Sequence, residues 1–152
     1  LNQKDQSLVR NYYTLSSDGT RYLLDTSKAI PDNEREALVR ALVIIRGNVV
    51  WTEFGFNVGT EFGGRHPALI LRPLSGDQAW VAPLSSQPPS TAMSCVVEVD
   101  RVYNYPLKPR WVNVHRIMTI SLYRIDFGST IGSVKGHVVT QIVNAFKSEW
   151  GF

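Results

Sequence analysis

The stretch Gly59-Thr60-Glu61-Phe62-Gly63-Gly64-Arg65-His66-Pro67 gathers residue types that handle phosphate. Glycines let backbone amides approach a ligand closely, and Gly63 and Gly64 stand directly before the polar pair. Arginine offers a planar fork to phosphate oxygens. Histidine exchanges protons near neutral pH because its unperturbed pKa is about 6.5. The stretch is not a Walker loop, since no Gly-Lys-Ser/Thr follows, and it precedes a strand pattern rather than a helix, which excludes a dinucleotide fingerprint. These types suit internal transesterification of RNA: a base takes the ribose 2′-OH proton, the oxygen attacks the adjacent phosphorus, a cation steadies the phosphorane and an acid protonates the leaving 5′-oxygen.

A second cluster joins through strand register. The apolar runs 68–72 and 79–83 flank Pro73-Leu74-Ser75-Gly76-Asp77-Gln78, which is turn chemistry. If they pair with Arg72 facing Ala79, His66 falls opposite Ser85 and Arg65 opposite Ser86. Opposed residues share a face with Cβ atoms about 5 Å apart. That hairpin would gather Arg65, His66, Ser85 and Ser86 at one end, with Gln87 beyond. A one-residue slip would spoil the pairing. A third candidate is Trp111-Val112-Asn113-Val114-His115-Arg116. Alternation puts Trp111, Asn113 and His115 on one face and Arg116 on the other. Trp and His there either stack on unpaired bases, with Asn113 reading a base edge, or Trp111 is core and His115 ordinary surface. Both readings stand.

No metal or cofactor is expected. His66, His115 and His137 are widely spaced without adjacent carboxylates, and the single cysteine, Cys95, reads as a small buried strand residue without partners for a thiolate site.

The elements that must position these residues are mostly strands. Residues 1–30 are polar without clear periodicity and read as a peripheral arm, though Tyr12, Tyr13 and Tyr22 could dock. A short helix follows, with Asn33 and Glu36 spaced as a capping box and Ala37, Leu38, Ala41, Leu42 and Ile45 as an apolar stripe ended by Gly47. Strands are expected at Val49–Phe54, in the two runs above, at Cys95–Val102, Trp111–Ile120 and Leu122–Ile125, with loops at 84–94 and 103–110. Val134, Val138, Ile142, Phe146 and Trp150, joined by Val139 and Val143, make the closing segment an amphipathic helix. Long βαβ units are absent, so the expected fold is mainly β, a small antiparallel barrel capped by a C-terminal helix. Residues 1–45 form the arm and short helix, and 46–152 the barrel domain.

The chain has 152 residues and one cysteine, a soluble globular mixture with no apolar run of membrane-spanning length. No membrane association and a cytoplasmic location are expected. It begins at Leu1 and reads as trimmed, which leaves room for a lost targeting segment. Residues 1–100 carry 9 Lys/Arg against 11 Asp/Glu, and 101–152 carry 7 against 2. The basic second part suits phosphates or an acidic partner as well as an ordinary solvated face.

Three blocks in order resemble a known family. Arg46-Gly47-Asn48-Val49-Val50-Trp51 followed by Gly59 to Leu71, then Val81-Ala82-Pro83-Leu84-Ser85-Ser86-Gln87, then Val114 to Ile125, are similar to the PemK/MazF toxins. The resemblance implies an SH3-like (CcdB/PemK-like) barrel, a homodimer, metal-independent sequence-selective cleavage of single-stranded RNA (mRNA), and inhibition by a cognate antitoxin with a partly disordered tail. The family's catalytic arginine usually stands just before the proline of the first block. His66 occupies that position here and Arg65 precedes it, while the catalytic threonine or serine matches Ser85. On this reading His66 transfers the proton, Arg65 steadies the phosphate and Ser85 supports. Gly63, Gly64, Ser86, Gln87, Asn113, His115 and Arg116 bind substrate. Two other readings compete: a non-hydrolytic toxin on the same fold, such as a DNA gyrase poison, and an inactive SH3-like RNA or peptide binder.

Overall fold

A computed structural model describes residues 3–19, 22–25, 27–55, 63–126 and 128–151. The loop residues Gly59 to Phe62 lie outside these, as does the Tyr22 side chain. In chain order the elements are α1 (Gln3–Tyr12), the hairpin β1 (Tyr13–Leu15) and β2 (Tyr22–Leu24), α2 (Asp32–Leu38) widening into a π turn (Val39–Val43), β3 (Asn48–Glu53), β4 (Arg65–Pro73), β5 (Gln78–Ser85), β6 (Val96–Val99), β7 (Arg110–Asn113), β8 (Met118–Ser121), β9 (Gly132–Ser133) and α3 (Gly136–Trp150).

The strands from β3 onward form one curled antiparallel sheet in the order β6-β7-β5-β4-β3-β9, with β8 added to β5, so the mainly β fold with a C-terminal helix is as expected. Two bridges curl it towards closure: Tyr103 pairs with Ser133 of β9, and Ile125 pairs with Thr52 of β3. Strands β3 to β5 are buried on both faces, and alternation divides their side chains between two cores. Val50, Ala68, Ile70, Ala79 and Val81 pack with Ile120, Leu122 and Ile125. Val49, Leu69, Leu71, Ala82 and Leu84 pack with Val99, Val112 and, from α3, Val139 and Ile142. Trp150, at the end of the expected apolar stripe of α3, is exposed.

The first core is completed by the N-terminal residues. Val9, Tyr13, Leu38, Ala41, Leu42, Val43 and Ile44 belong to it. The segment read as an aperiodic arm is therefore a helix and hairpin docked on the sheet. Tyr13 is buried, and the Tyr12 hydroxyl donates to the Glu34 carboxylate. The expected capping box is not formed as such: the Pro31 carbonyl already accepts from the amides of Glu34 and Arg35, so α2 starts before Asn33. The π turn explains a second difference. It adds backbone without advancing a full turn, so the apolar stripe slips by one residue. Ile44 is buried at 5% exposure, whereas Ile45, where the α-helical period pointed, is 46% exposed.

Two further expectations change. The run Trp111–Ile120 is split by a tight 3₁₀ turn at Val114–Arg116, because the Asn113 side chain accepts from the His115 amide and turns the chain. Leu122–Arg124 is likewise a turn rather than a strand, the Ser121 side chain accepting from the Tyr123 amide. Among the described residues no helix is long and apolar enough to cross a membrane.

Leu38 is fully buried in the first core. Leu38→Ala is expected to cost about 2–5 kcal/mol. The cost should appear as a lower urea midpoint for the whole chain, with tryptophan fluorescence and far-UV circular dichroism moving together. Loss confined to part of the helical signal would show that the N-terminal residues unfold separately.

Candidate active site

The site follows from where β5 changes partner. Gln78 to Val81 pair with β8, whereas Leu84 and Ser85 pair with Val112 and Trp111 of β7. Leu84 and Val112 are buried in the second core, so their neighbours Pro83, Ser85, Trp111 and Asn113 turn to the other face. There they line a groove of about 300 Å³ together with Gln87, Met93 and Arg116. The Gln87 amide donates to Ser85 Oγ at 3.1 Å, which fixes the hydroxyl at the groove wall.

The β4–β5 register bears on His66. Ala68, Leu69 and Ile70 face Pro83, Ala82 and Val81, as the sequence reading requires. The starting premise is one residue off: Arg72 faces Trp80 rather than Ala79, and the irregularity between Ile70 and Arg72 absorbs the difference. The ladder ends at Ala68–Pro83. By strand alternation His66 shares the face of Ala68 and, across the hairpin, of Pro83 and Ser85, but it lies outside the groove lining. Its Nε2 is 3.0 Å from the Gly63 carbonyl, and its ring tilts against Phe54 at 6.5 Å.

Arg65 does not join them. Strand β4 begins at Arg65, so consecutive side chains already point to opposite faces. Its guanidinium lies 4.9 Å over the Trp51 ring and donates to Asp126 Oδ2 at 2.6 Å and to Ser129 Oγ at 2.8 Å. The stack continues: Trp51 lies against Tyr105 at 6.0 Å, and the buried Arg110 covers Tyr105 at 5.5 Å. Tyr105 donates its hydroxyl to the Val49 carbonyl; burial pushes its pKa well up, the nearby Arg110 and Arg65 only partly opposing. Burial pulls the Arg110 pKa down, against the Tyr105 charge. The gathering of Arg65 with His66 and the serines is thus corrected.

The loop bearing the glycines is pinned at its base. Phe54 donates to the Gly64 carbonyl at 2.8 Å, and Gly64 to the Gly55 carbonyl at 2.7 Å. Gly55 and Gly64 have φ of 83° and 84°, a left-handed conformation that suits glycine.

Of the remaining sequence-predicted residues, Ser86 is exposed beside the groove. Gln87, Asn113 and Arg116 line it. His115 does not share the face of Trp111 and Asn113, because the turn at Val114 breaks the alternation; its Nε2 lies 3.0 Å from Glu149 Oε2 instead. That contact, then Ser94, holds the Glu149 carboxyl below the usual carboxylate range. The thiol of Cys95 reaches the same place: thiol sulfur, imidazole nitrogen and carboxylate oxygen lie within 4.8 Å of one another, so the expectation that Cys95 lacks partners is overturned. Asp126, Tyr105 and Met93 carried no sequence signal, since their roles arise only from contacts across the sheet.

Residues 45–149 match the family model described as PemK-like, MazF-like toxin of type II toxin-antitoxin system. No curated protein matches in sequence. Among solved structures, MazF from Deinococcus radiodurans is 20% identical, with a TM-score of 0.57 over 70% of this chain and 94% of that one. An endoribonuclease in complex with its cognate antitoxin from a mycobacterial species is 18% identical, with a TM-score of 0.53 over 71% of this chain and 95% of that one. MazE-MazF from Deinococcus radiodurans is 20% identical, with a TM-score of 0.53 over 70% and 95%. At these identities the likeness is one of fold.

The Asp126 pair makes a pH prediction. The Arg65 hydrogen bond, helped by Ser129 and the Gly128 amide, holds the Asp126 carboxyl below its usual value. A depressed folded pKa stabilises above the unfolded value of about 3.9 and is lost as pH falls through the lowered folded value. Both side chains are over a third exposed, so the contribution is at most about 1 kcal/mol. Asp126→Asn should melt slightly below the native chain at pH 7, and the gap should close as pH falls through the lowered folded value. A gap that persists unchanged in acid would contradict this.

Proposed function

Since the chain belongs to the PemK-like, MazF-like toxins of type II toxin-antitoxin systems, we propose that it acts as a sequence-selective endoribonuclease on single-stranded RNA. The observation that carries the proposal is the groove in which Ser85, Gln87, Asn113, Trp111 and Arg116 converge. It combines an aromatic surface for an unpaired base, amides for its edge, and a hydroxyl and a guanidinium for phosphate.

In the proposed reaction the 2′-oxygen attacks the adjacent phosphorus and the 5′-oxygen leaves, giving a 2′,3′-cyclic phosphate. His66, on the face of Ser85 and at the family's arginine position, exchanges the protons. Ser85 accepts from Gln87 through its oxygen, which leaves its own proton for a phosphate oxygen. Gly63 and Gly64 hold the loop beside His66. Arg116 supplies positive charge within the groove. Arg65 can serve the phosphate only by exchanging Asp126 for it, which makes it a weaker candidate than its sequence position suggests. His115, tied to Glu149, lies outside the groove lining. The chemistry needs only side chains, so the reaction is proposed to be metal-independent. A homodimer, a cytoplasmic location and a cognate antitoxin as partner are part of the same reading, the last supported by the toxin-antitoxin complexes among structures of similar fold.

The test is incubation with long single-stranded RNA in excess chelator, followed by end-group analysis. Discrete fragments ending in 2′,3′-cyclic phosphate are expected. His66→Ala should slow cleavage about 10²–10⁴-fold, the range for loss of a general acid or base. Ser85→Ala should slow it less, and Arg116→Ala should chiefly weaken RNA binding. Intact RNA from the folded native chain would transfer the bet to the non-hydrolytic readings. Unchanged cleavage by His66→Ala would remove His66 from the mechanism.

A further inference from the structure

Away from the groove lining, three segments distant in sequence meet at one point. Cys95 immediately precedes β6, His115 sits in the turn after β7, and Glu149 lies in the last turn of α3. Their thiol sulfur, imidazole nitrogen and carboxylate oxygen lie within 4.8 Å of one another. We propose that Cys95, His115 and Glu149 bind one zinc-class divalent ion, which clamps the end of α3 to the strands that wall the groove.

The donor set points to that class of ion. Sulfur, nitrogen and oxygen together are what zinc takes, whereas magnesium and calcium take oxygen alone. Around a tetrahedral zinc the donors stand about 3.3–3.6 Å apart. The His115 Nε2 to Glu149 Oε2 separation of 3.0 Å must open slightly. The widest separation must shrink by about 1 Å, which side-chain rotation supplies without moving backbone, since His115 and Glu149 are exposed. Thiolate and carboxylate neutralise a doubly charged cation between them. Binding replaces the sulfur–hydrogen bond with a sulfur–metal bond and releases the proton to solvent.

The surroundings orient the ligands. Ser94 Oγ donates to Glu149 Oε1 at 3.0 Å, leaving Oε2 for the ion. Asn113 Oδ1 accepts from the His115 amide at 2.9 Å and sets the turn. The Val114 amide donates to the Cys95 carbonyl at 2.8 Å, so the backbones bearing two of the ligands are already joined. An exposed His–Glu pair alone contributes little; Cys95 is itself a buried member of the second core, and its sulfur comes within 4.8 Å of that pair. Met93 and Val96 flank Cys95, and Asn113 and Arg116 flank His115, and all four line the groove. The ion would therefore stiffen one groove wall, a positioning role.

The experiment uses the full chain, stripped with chelator and titrated with cobalt(II), then zinc. One equivalent of cobalt should give tetrahedral visible bands and a thiolate-to-cobalt charge-transfer band, both displaced by zinc, and zinc should raise the melting temperature. Cys95→Ser should remove the charge-transfer band. His115→Gln and Glu149→Gln, at exposed positions that folding tolerates, should each weaken binding roughly tenfold or more. His137→Gln, at the exposed start of α3, should bind as the native chain does and controls for surface histidine. Absence of the bands from the native chain, or their persistence unchanged in any one of the three ligand variants, overturns the proposal.

Discussion

Strand β5 has two edges and three partners, and the rest of the fold follows from that. One edge is taken by β4 from Ala79 to Pro83. The other is shared, β8 taking the first half and β7 the second. A strand pairs with one neighbour per edge at any point, so β7 and β8 must diverge where the hand-over occurs. The turn at Val114–Arg116 makes that divergence. The groove opens on the β7 side of the hand-over, and Ser85 stands at its lip because it is the last residue of β5.

Burial on both faces makes this arrangement specific. Each residue slip in β4 or β5 would exchange the members of the two cores. Val81 would trade places with Ala82, whose volume does not match, and the branched Ile70 with the differently shaped Leu69. The irregularity at Leu71 lets the far end of the hairpin shift register without disturbing this division. The N-terminal residues close one core and α3 the other. The family model begins at residue 45, so the helices and hairpin that precede it are an addition which covers an apolar face of the sheet.

Electrostatics divides the candidate residues the same way. Arg65 and Arg110 bracket two stacked aromatic rings on one face, with Asp126 closing the outer end. His66, one residue along β4, belongs to the other. The groove therefore takes its positive charge from Arg116, which approaches from a different strand connection.

Local physics was legible in the residues. Period-two runs set the strands, the four-residue spacing set α3, turn chemistry set the β4–β5 hairpin, and three ordered blocks carried the family resemblance. The pairing of Ala68 with Pro83 matches the expected register although its premise, Arg72 facing Ala79, is one residue off, because the irregularity between Ile70 and Arg72 absorbs the difference. Tertiary structure decided what depends on contacts between distant segments. Packing on the sheet gave the N-terminal residues their structure and slipped the stripe of α2 through a π turn. The competition of β7 and β8 for one edge of β5 broke the run from Trp111 to Ile120 and sent His115 to Glu149. The point at which β4 begins to pair turned Arg65 away from His66. Cys95, His115 and Glu149 lie on three different elements, and no spacing along the chain could announce their meeting, because a side chain's partner across a fold is set by long-range register rather than by its neighbours in sequence.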